Sequence, residues 1–444
     1  MTAPQNLTRK ILGYFTAFIF LSLTILILYR SFQKYELWTI LYIPQACILF
    51  MYIYVFFPAF LLVIGRSSIK KMFVSSLPAE DTIKNFFTIL IPAHNEDRLL
   101  PALLDSIRNQ TFDKKYFQVL VIADNCNDHT AAVARQYGMN CLERFTTQPS
   151  DKQQALEYGM QNFTFEENFN KGYVCIIDAD CHLNPDFLRE MNQQLINNPE
   201  IVAMQSYRFV KNMHDSSVTV LDAAAEALRN WAFCAPRKWI GASVFINGSG
   251  ILFTKKIFEK LVSLPGSNHL AEDKEWKAYL SERNLKVDYC PCAQLAYEAV
   301  SSQKDFQKQR KRWVGSHMNM MYKYGWIVLK QSILNLNFTQ FDFFCSLMQL
   351  PRSLLLISSL FFAVLDFLYS PASFFPHWAW VAMIGAMILY GFLGLYLIKA
   401  RANEYMAIPH ALSMVTGVFK TTFLSLIGKS TSQWKPTRVE NEEH

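Results

Sequence analysis

Long apolar segments near both ends of the chain constrain its fold more than any other feature of the sequence. Ile11–Tyr29 contains no charged residue, and at about 1.5 Å per residue a helix of that length crosses a bilayer. Leu37–Ile64 is a second apolar stretch, and Arg66, Lys70 and Lys71 follow it. Because basic residues beside spans stay in the cytoplasm, we expect both flanks of this pair to be cytoplasmic. The sequence therefore predicts an integral protein of the cell or inner membrane.

The C-terminal third of the chain is apolar again. Ser353–Tyr369 and Trp378–Ile398 predict two further spans. A histidine and a lysine interrupt Ile408–Ile427, which predicts an interfacial helix instead. Tyr324–Leu350 mixes apolar and polar residues and could lie at the interface too. We therefore expect about four spans, or five or six if the mixed segments also cross the bilayer.

The composition agrees with a membrane location. Of the 444 residues, 51% are hydrophobic and 18% are charged, whereas soluble domains average about 25% charged residues. The net charge of +7 is mild, and the basic residues cluster beside apolar segments, which suits a bilayer surface. No zinc-finger or RNA-binding signature is present, so nucleic acid is not an expected partner. The nine cysteines form no CxxC pair, which predicts reduced thiols.

The middle of the chain, from about Phe86 to Gln309, has a different pattern. Short apolar runs such as QVLVIA and YVCII are rich in β-branched residues, which is typical of strands buried on both faces. They alternate with amphipathic stretches such as RLLPALLDSI, whose leucines recur at helical spacing. Strands alternating with helices predict an α/β domain with a parallel sheet. We therefore divide the chain into a membrane region at 1–72, a cytosolic α/β domain at 73–323 and a second membrane region at 324–444.

Three of the predicted strands end in polar residues. FFTILI leads into Pro92–Glu96 (PAHNE), QVLVIA leads into Asp124, and YVCII leads into Asp178 and Asp180. Ligands of open parallel sheets bind outside the carboxyl ends of the strands. If the last segment is extended, Asp178 and Asp180 point to the same side, and their repulsion favours a hard divalent cation. The pattern predicts Mg²⁺ or Mn²⁺ bridging a diphosphate, although acidic residues at such positions also cap loops.

Other polar residues of this domain allow a functional and a structural interpretation. The residues after Asp124 suit helix capping better than Asp124 does, which leaves Asp124 free to face the sheet edge. Lys152 opens the next predicted helix and could be solvated. Asn247–Gly250 (NGSG) predicts a turn with close backbone approach. Glu272 and Asp273 could serve catalysis or only stabilise the first turn of a helix.

A basic run, FQKQRKRWVGS, occupies Phe306–Ser316. Its lysines predict a membrane-proximal surface that attracts anionic lipid. Gln309 and Arg312 are three residues apart and hence share a helix face, and Arg312 can bind phosphate bidentately. Trp313 offers a flat apolar surface to a sugar ring, and Arg310 could belong to either group. The run therefore predicts one wall of an anion-binding site beside the membrane.

These motifs occur in a recognisable order. DNCNDHTAAVA, DAD at a strand end, AED at a helix start and QxxRW before membrane segments together resemble family 2 glycosyltransferases of the membrane-bound, often processive type. That group includes the cellulose, hyaluronan and poly-N-acetylglucosamine synthases and exopolysaccharide glycosyltransferases. The resemblance covers about Phe86–Ser316, and it implies a GT-A (Rossmann-like) fold, a UDP-sugar donor and a divalent metal.

The resemblance also implies a role for each motif residue. Asp273 would be the general base, with Glu272 beside it in the catalytic motif. Asp178 and Asp180 would serve the metal, with Asp180 as the direct ligand. The UDP-sugar donor would be held by Pro92, His94, Asn95, Glu96, Asp124, Lys152, Asp178, Asp180, Gln309, Arg312 and Trp313. The acceptor would lie against Asn247, Gly248, Ser249, Gly250 and Trp313.

The sequence departs from the family pattern in three places. Ala271 stands where the TED motif has threonine, and Gln153 and Gln154 follow Lys152 where small residues are usual. Residues 300–302 read VSS where a proline–threonine pair is frequent upstream of QxxRW. The last departure leaves the gating of the acceptor open.

The resemblance implies an inverting glycosyltransferase acting at the cytoplasmic face of the membrane. It would move a sugar from UDP-N-acetylglucosamine or UDP-glucose to a growing polysaccharide or a lipid-linked acceptor. The alternative is a single-addition enzyme whose acceptor is a polyprenyl phosphate or glycerolipid. A non-enzymatic nucleotide-binding scaffold or transporter is least favoured, because the charges that mark ion paths in transporter spans are almost absent here. Oligomers or accessory subunits are compatible with each of these.

Overall fold

The computed structural model describes residues 40–78, 84–147, 151–165, 172–264 and 272–408. The predicted span Ile11–Tyr29 lies outside these ranges, as do Ala271 and all but the first residue of the predicted interfacial helix Ile408–Ile427. All nine cysteines are described and all are free thiols, as predicted.

The described residues form an α/β domain between apolar helices. The helices are α1 Tyr42–Ile64, α2 Arg66–Lys71, α3 Leu100–Arg108, α4 Thr130–Gln136, α5 Lys152–Asn162, α6 Phe187–Asn197, α7 Ser217–Arg229, α8 Ala235–Trp239, α9 Lys255–Val262, α10 Glu272–Glu282, α11 Gln303–Leu334, α12 Phe338–Met348, α13 Arg352–Leu368 and α14 His377–Leu397. The strands are β1 Phe87–Ala93, β2 Phe117–Asp124, β3 Asn140–Arg144, β4 Tyr173–Ile176, β5 Cys181–Leu183, β6 Ala203–Val210, β7 Ile251–Thr254 and β8 Val287–Tyr297. The apolar runs thus form strands, as predicted, because both of their faces are buried.

One eight-stranded sheet organises the domain, in the order β3-β2-β1-β4-β7-β6-β8-β5. Strands β3, β2, β1 and β4 are parallel, which confirms the prediction for this half. The prediction of a parallel sheet does not hold for the rest of the domain, where β6 and β8 are parallel but β7 runs antiparallel to both β4 and β6, and β5 runs antiparallel to β8. Apolar clusters cover both faces of the sheet. The carboxyl ends of β1, β2 and β4 therefore meet at one edge, which positions the candidate site.

Two helices of the described part are long and apolar enough to cross a membrane, namely α1 and α14. The predicted span Ser353–Tyr369 corresponds to α13, which has 17 residues and meets α12 at a bend of 69°. Together α12 and α13 pass as one broken span or a re-entrant loop. Pro351 lies at the break. Proline cannot continue a preceding helix, which explains why α12 ends there.

A buried ionic cluster ties the apolar helices to the α/β domain. Arg237 of α8 is 5% exposed, and its Nη2 lies 2.9 Å from Oδ1 of Asp342 in α12. The hydroxyl of Tyr54 in α1 donates to the same oxygen over 3.1 Å. The guanidinium also lies 3.7 Å from the ring centroid of Phe233. We call Tyr54, Arg237 and Asp342 the membrane clamp.

Candidate active site

The PAHNE loop and the segment after β2 are joined by local hydrogen bonds. Nδ1 of His94 lies 2.7 Å from the backbone oxygen of Asp124. Oδ1 of Asn95 accepts from the N–H of Asn127 over 2.9 Å, and Asn95 has a φ of 55°. The N–H of Glu96 donates to Oγ1 of Thr130 over 2.8 Å. The two loops therefore form one rigid wall at the edge of the sheet.

Asp124 is paired inside this wall. The prediction left it free to face the sheet edge, but its carboxylate accepts from Nη1 of Arg144 over 2.8 Å and is 7% exposed. Arg144 ends β3 directly beside Asp124 in the strand register, and it also donates to Gln154. Sequence reasoning missed Arg144, because the pairing depends on the register of two strands. The only signal was a cation at the end of the neighbouring strand.

Lys152 connects three parts of the candidate site. It opens α5, as predicted, behind an Asp151 N-cap. Its Nζ lies 2.5 Å from Oδ1 of Asp178 and donates to the backbone oxygen of Gly248 over 2.8 Å. Burial acts to lower the pKa of Lys152, but Asp178 and Glu272 attract its proton and raise the pKa overall. Lys152 therefore stays cationic beside the strand-end carboxylate.

Asp178 and Asp180 lie on a tight turn. The prediction of an extended segment is wrong here, because the N–H of Cys181 donates to the backbone oxygen of Asp178 over 3.1 Å. The turn leads into β5, which pairs with β8 far along the chain. Among the described residues no group of three or more histidine, cysteine or acidic side chains could hold a metal by itself. Asp178 and Asp180 still offer carboxylate oxygens of the kind that Mg²⁺ and Mn²⁺ prefer, and an ion held by one or two carboxylates fills its remaining positions with water and phosphate oxygens.

The NGSG segment packs tightly against the strand ends. The N–H of Asp178 donates to Oγ of Ser249 over 2.9 Å. Gly250 has a φ of 68°, and a Cβ at this position would overlap Oγ of Ser206 and a methyl group of Leu295. The predicted need for a small residue with close backbone approach is therefore met at Gly250.

Two residues of β6 hold the NGSG segment in place, and sequence reasoning missed both. Nε2 of Gln205 donates to the backbone oxygen of Ser249 over 2.9 Å, and its Oε1 accepts from the N–H of Asn247 over 2.9 Å. Arg208 donates to the backbone oxygen of Asn247. Burial acts to lower the pKa of Arg208, but attraction to acidic groups that include Glu226 raises it. Neither residue belongs to a recognisable motif, so only the fold reveals them.

Glu272 and Asp273 begin α10, as predicted. Burial raises the pKa of Glu272 to about 7, against the attraction of Lys152, and the charge of Asp273 raises it further. Lys152 and Asp178 therefore lie close enough to Glu272 to interact with its charge. A protonatable carboxyl thus begins α10 within electrostatic range of the strand-end residues.

The QxxRW residues lie on α11. Burial lowers the pKa of the Arg312 guanidinium, while attraction to Glu272 and Asp178 opposes this effect. Arg312 therefore faces the same space as the acidic residues. Gln309 is half-buried on the same helix, and Trp313 is 38% exposed. The structure thus brings Lys152, Asp178, Glu272 and Arg312 around one spot.

The comparisons with known proteins agree with this geometry. Residues 84–316, more than half of the chain, match the family model described as "Glycosyltransferase like family 2". The probable glycosyltransferase YdaM of Bacillus subtilis is 23% identical over 244 residues, which cover 53% of this chain and 56% of the relative. The beta-monoglucosyldiacylglycerol synthase of Nostoc sp. is 22% identical over 254 residues, 55% of this chain and 52% of the relative. The chain thus spans about half the length of these relatives.

The fold of this chain resembles that of a solved structure. The mannosyltransferase PcManGT from Pyrobaculum calidifontis, in complex with GDP-Man and Mn²⁺, has a TM-score of 0.51 and 15% sequence identity. The match covers 86% of this chain and 99% of that one. At this identity the likeness supports the GT-A fold alone. With the family model matched across the α/β domain and its sheet edge, the chain belongs to glycosyltransferase family 2.

Proposed function

We propose that the chain transfers a sugar, with inversion, from a UDP-sugar to a growing polysaccharide or lipid-linked acceptor at the cytoplasmic face of the membrane. The observation that carries the proposal is the convergence of Lys152, Asp178, Glu272 and Arg312 on one space at the sheet edge. Two cations and two carboxyl groups suit a sugar diphosphate and its departure. UDP-N-acetylglucosamine and UDP-glucose are the proposed donors.

The donor lies along the carboxyl ends of the strands in this proposal. Asp124, held by Arg144, and the PAHNE loop bind the nucleoside. Asp178 and Asp180 bind the metal, which neutralises diphosphate charge when bound. Lys152 and Arg312 face the diphosphate, since charge-assisted hydrogen bonds are strong and Arg binds phosphate bidentately. The NGSG segment then orders the acceptor.

Asp273 is the proposed general base. It accepts the proton of the acceptor hydroxyl as that oxygen attacks the anomeric carbon, and nucleoside diphosphate leaves from the opposite face. Asp273 starts α10 beside Glu272, which already faces Lys152. Trp313 and Asn247–Gly250 hold the acceptor, because an oriented acceptor lowers the entropic part of the barrier.

A single addition to a lipid is the second candidate function. It is favoured by the membrane helices that pack directly on the α/β domain. One relative is named a beta-monoglucosyldiacylglycerol synthase. Processive synthesis and single addition differ in product length, so sizing the product made by purified protein from radiolabelled UDP-sugar separates them. A ladder supports the processive mode, and one lipid-soluble product excludes it.

The base assignment is tested by Asp273→Asn. We expect the variant to bind UDP in the presence of Mn²⁺ as wild type does and to lose transfer by at least about a hundredfold, the scale of a general base. Asp215→Asn, at an exposed aspartate outside the site, is the matched control and should keep full activity. Transfer near wild-type rates by D273N would rule out this base. A protein that binds UDP without releasing it from any UDP-sugar would support the scaffold interpretation.

A further inference from the structure

A cluster of arginines lies where α7 and α11 meet the apolar helices. Nη2 of Arg310 lies 2.9 Å from Oδ1 of Asp222 on α7. One helical turn further along α7, Nη1 of Arg229 lies 2.6 Å from Oε2 of Glu226. The mechanism proposed above uses none of these four residues, although Arg310 belongs to the same basic run as Arg312.

Arg352 adds a third cation without a matching acid. It is the first residue of α13, directly after the bend at Pro351. Its guanidinium lies 5.1 Å from the ring centroid of Tyr390 on α14. No ion pair joins Arg352 to a carboxylate within the described ranges. Burial lowers the pKa of Arg310, Asp222 opposes this, and repulsion from Arg229 and Arg352 lowers it further. Tyr390 belongs to the same buried cluster as Leu228, the neighbour of Arg229, so Arg352 lies on the side of α7 that holds the other two arginines.

The acids of the cluster do not balance the arginines. Three guanidinium groups face two carboxylates, and one of these, Asp222, also accepts from the hydroxyl of Tyr297 over 2.9 Å. Nε of Arg310 is buried and has no hydrogen-bond partner among the described residues. A buried donor without a partner costs free energy. An anion with several acceptor oxygens would satisfy this donor and the excess charge together.

The position of the cluster indicates the source of the anion. The guanidinium of Arg310 lies 4.9 Å from the ring centroid of Trp313, the half-exposed residue of the candidate acceptor path. On the other side, Gly394 of α14 packs closely on Ala224 of α7, and α14 is a candidate membrane span. The cluster thus borders the acceptor path on one side and the bilayer on the other.

We propose that Arg229, Arg310 and Arg352 bind the phosphate group of a membrane-anchored acceptor lipid, whose hydroxyl-bearing head continues past Trp313 toward Asp273. Planar guanidinium groups match phosphate geometry, and the positive end of α13 adds to the attraction. The acceptor class is accordingly a phosphate-bearing lipid, and a neutral glycerolipid lacks the group that this cluster binds. This inference rests on the proposed function, because it names the acceptor of the same site.

The test measures lipid binding and UDP binding on the same preparations of the full-length protein in neutral detergent. Dioctanoyl phosphatidic acid is the phosphate-bearing probe, dioctanoylglycerol is its neutral counterpart, and inorganic phosphate represents a free anion. We expect phosphatidic acid to bind more tightly than either of the others. Arg352→Gln should weaken it by about tenfold or more, the scale of a lost charged hydrogen bond. Lys260→Gln, which removes one exposed charge from α9, should change it by less than about twofold.

Each outcome decides between interpretations. Equal losses in R352Q and K260Q, or no preference for phosphatidic acid over dioctanoylglycerol, would overturn the phosphate site. Inorganic phosphate that binds as tightly as phosphatidic acid would overturn the lipid source. Arg352→Lys keeps the charge and should bind the probe more tightly than R352Q, which a misfolded variant would not. UDP binding with Mn²⁺ is the readout of the donor site. If the wild type does not bind UDP, the proposed function is refuted. If R352Q keeps UDP binding, a loss of lipid binding in this variant concerns the lipid site alone.

Discussion

Lys277 provides a prediction that can be worked out in detail. It lies on α10, one turn beyond the candidate base, and is 4% exposed. Its Nζ donates to the backbone oxygen of Val244 over 2.7 Å and to Oγ of Ser243. Burial lowers the pKa of Lys277 from 10.5 to about 7, Asp342 opposes this shift, and Arg237 adds to it. The helix that begins with Glu272 and Asp273 thus contains a lysine whose protonation in the folded state is unfavourable.

The sign and size of the effect on stability follow from this pKa. Below pH 7 the folded and unfolded states both carry the proton, so the folded state bears the full cost of a buried charge. Between about pH 7 and 10.5 only the unfolded state is protonated, so the free energy of unfolding rises with pH by about 1.4 kcal/mol per pH unit. From a pKa of 10.5 to one of about 7, the total is at most about 5 kcal/mol.

Lys277→Met replaces the lysine by an apolar side chain of similar length. The substitution removes the free-energy cost of protonating a buried lysine. It also loses two hydrogen bonds, which together contribute about 2 kcal/mol. We expect the variant to be more stable than wild type by about 3 kcal/mol at pH 7 and less stable by about 1 kcal/mol near pH 10. Thermal melting of both proteins in one detergent, measured from pH 7 to 10, should give curves that cross.

The control for this experiment is Lys260→Met, at an exposed lysine of α9. Its melting temperature should follow that of wild type at every pH, because an exposed surface charge contributes little to the free energy of unfolding. Groups that titrate equally in wild type and Lys277→Met cancel in the difference between the two. Parallel curves for wild type and K277M would refute the assignment of a neutral buried lysine at pH above 7.

The remaining predictions concern the NGSG segment, the nucleoside wall and the acidic motif. Gly250→Ala should destabilise the fold by about 3 kcal/mol, because its Cβ would overlap neighbouring side chains and its φ is left-handed. Gly138→Ala, with a φ of 68° and open space around it, should cost about 1 kcal/mol. Chemical unfolding measures the free energy of unfolding of both variants. Arg144→Met should weaken UDP binding about tenfold, because the variant loses the ion pair that positions Asp124, whereas Arg135→Met, at an exposed pair, should not. UDP affinity of the wild type should fall as pH rises through 7, because ionised Glu272 repels the diphosphate. Glu272→Gln should remove this pH dependence. Calorimetric titration measures the UDP affinity of each arginine and glutamate variant and of the wild type.

These three predictions have clear contrary results. Equal costs for the two glycine variants would show that the segment can move away from β6. Loss of UDP binding in both arginine variants would point to unfolding of β3 instead of a local effect on Asp124. An unchanged pH profile in Glu272→Gln would assign the titration near pH 7 to another group.

Much of the fold was accessible from the sequence because local patterns determine it. β-branched apolar runs formed β1, β2 and β4, and the helical spacing of leucines formed α3. The strand-end residues Asp124 and Asp178 accordingly lie at one edge of the sheet, as predicted. Lys152 could be placed at the start of α5 for the same reason, since an N-cap and an amphipathic run are local signals.

What escaped prediction depends on contacts between distant parts of the chain. The turn at Asp178 forms because β5 turns back to pair with β8, which lies more than a hundred residues later. The pair of Asp124 and Arg144 requires the register of β2 and β3. The antiparallel direction of β7 depends on its position between β4 and β6, and no apolar pattern in the sequence predicts that position. The apolar run of α13 predicted a separate span, whereas Pro351 joins it to α12 as one bent pair.

The membrane clamp has a consequence for how an acceptor can travel. Removing one partner of a buried ion pair costs about 3–5 kcal/mol, so separating Arg237 from Asp342 and Tyr54 is costly. The α/β domain, α1 and α12 should therefore move as one body, and the height of the donor site above the bilayer should be fixed. An acceptor that receives more than one sugar should then advance by sliding through a stationary site, because the clamp opposes a rocking motion of the α/β domain that could carry it.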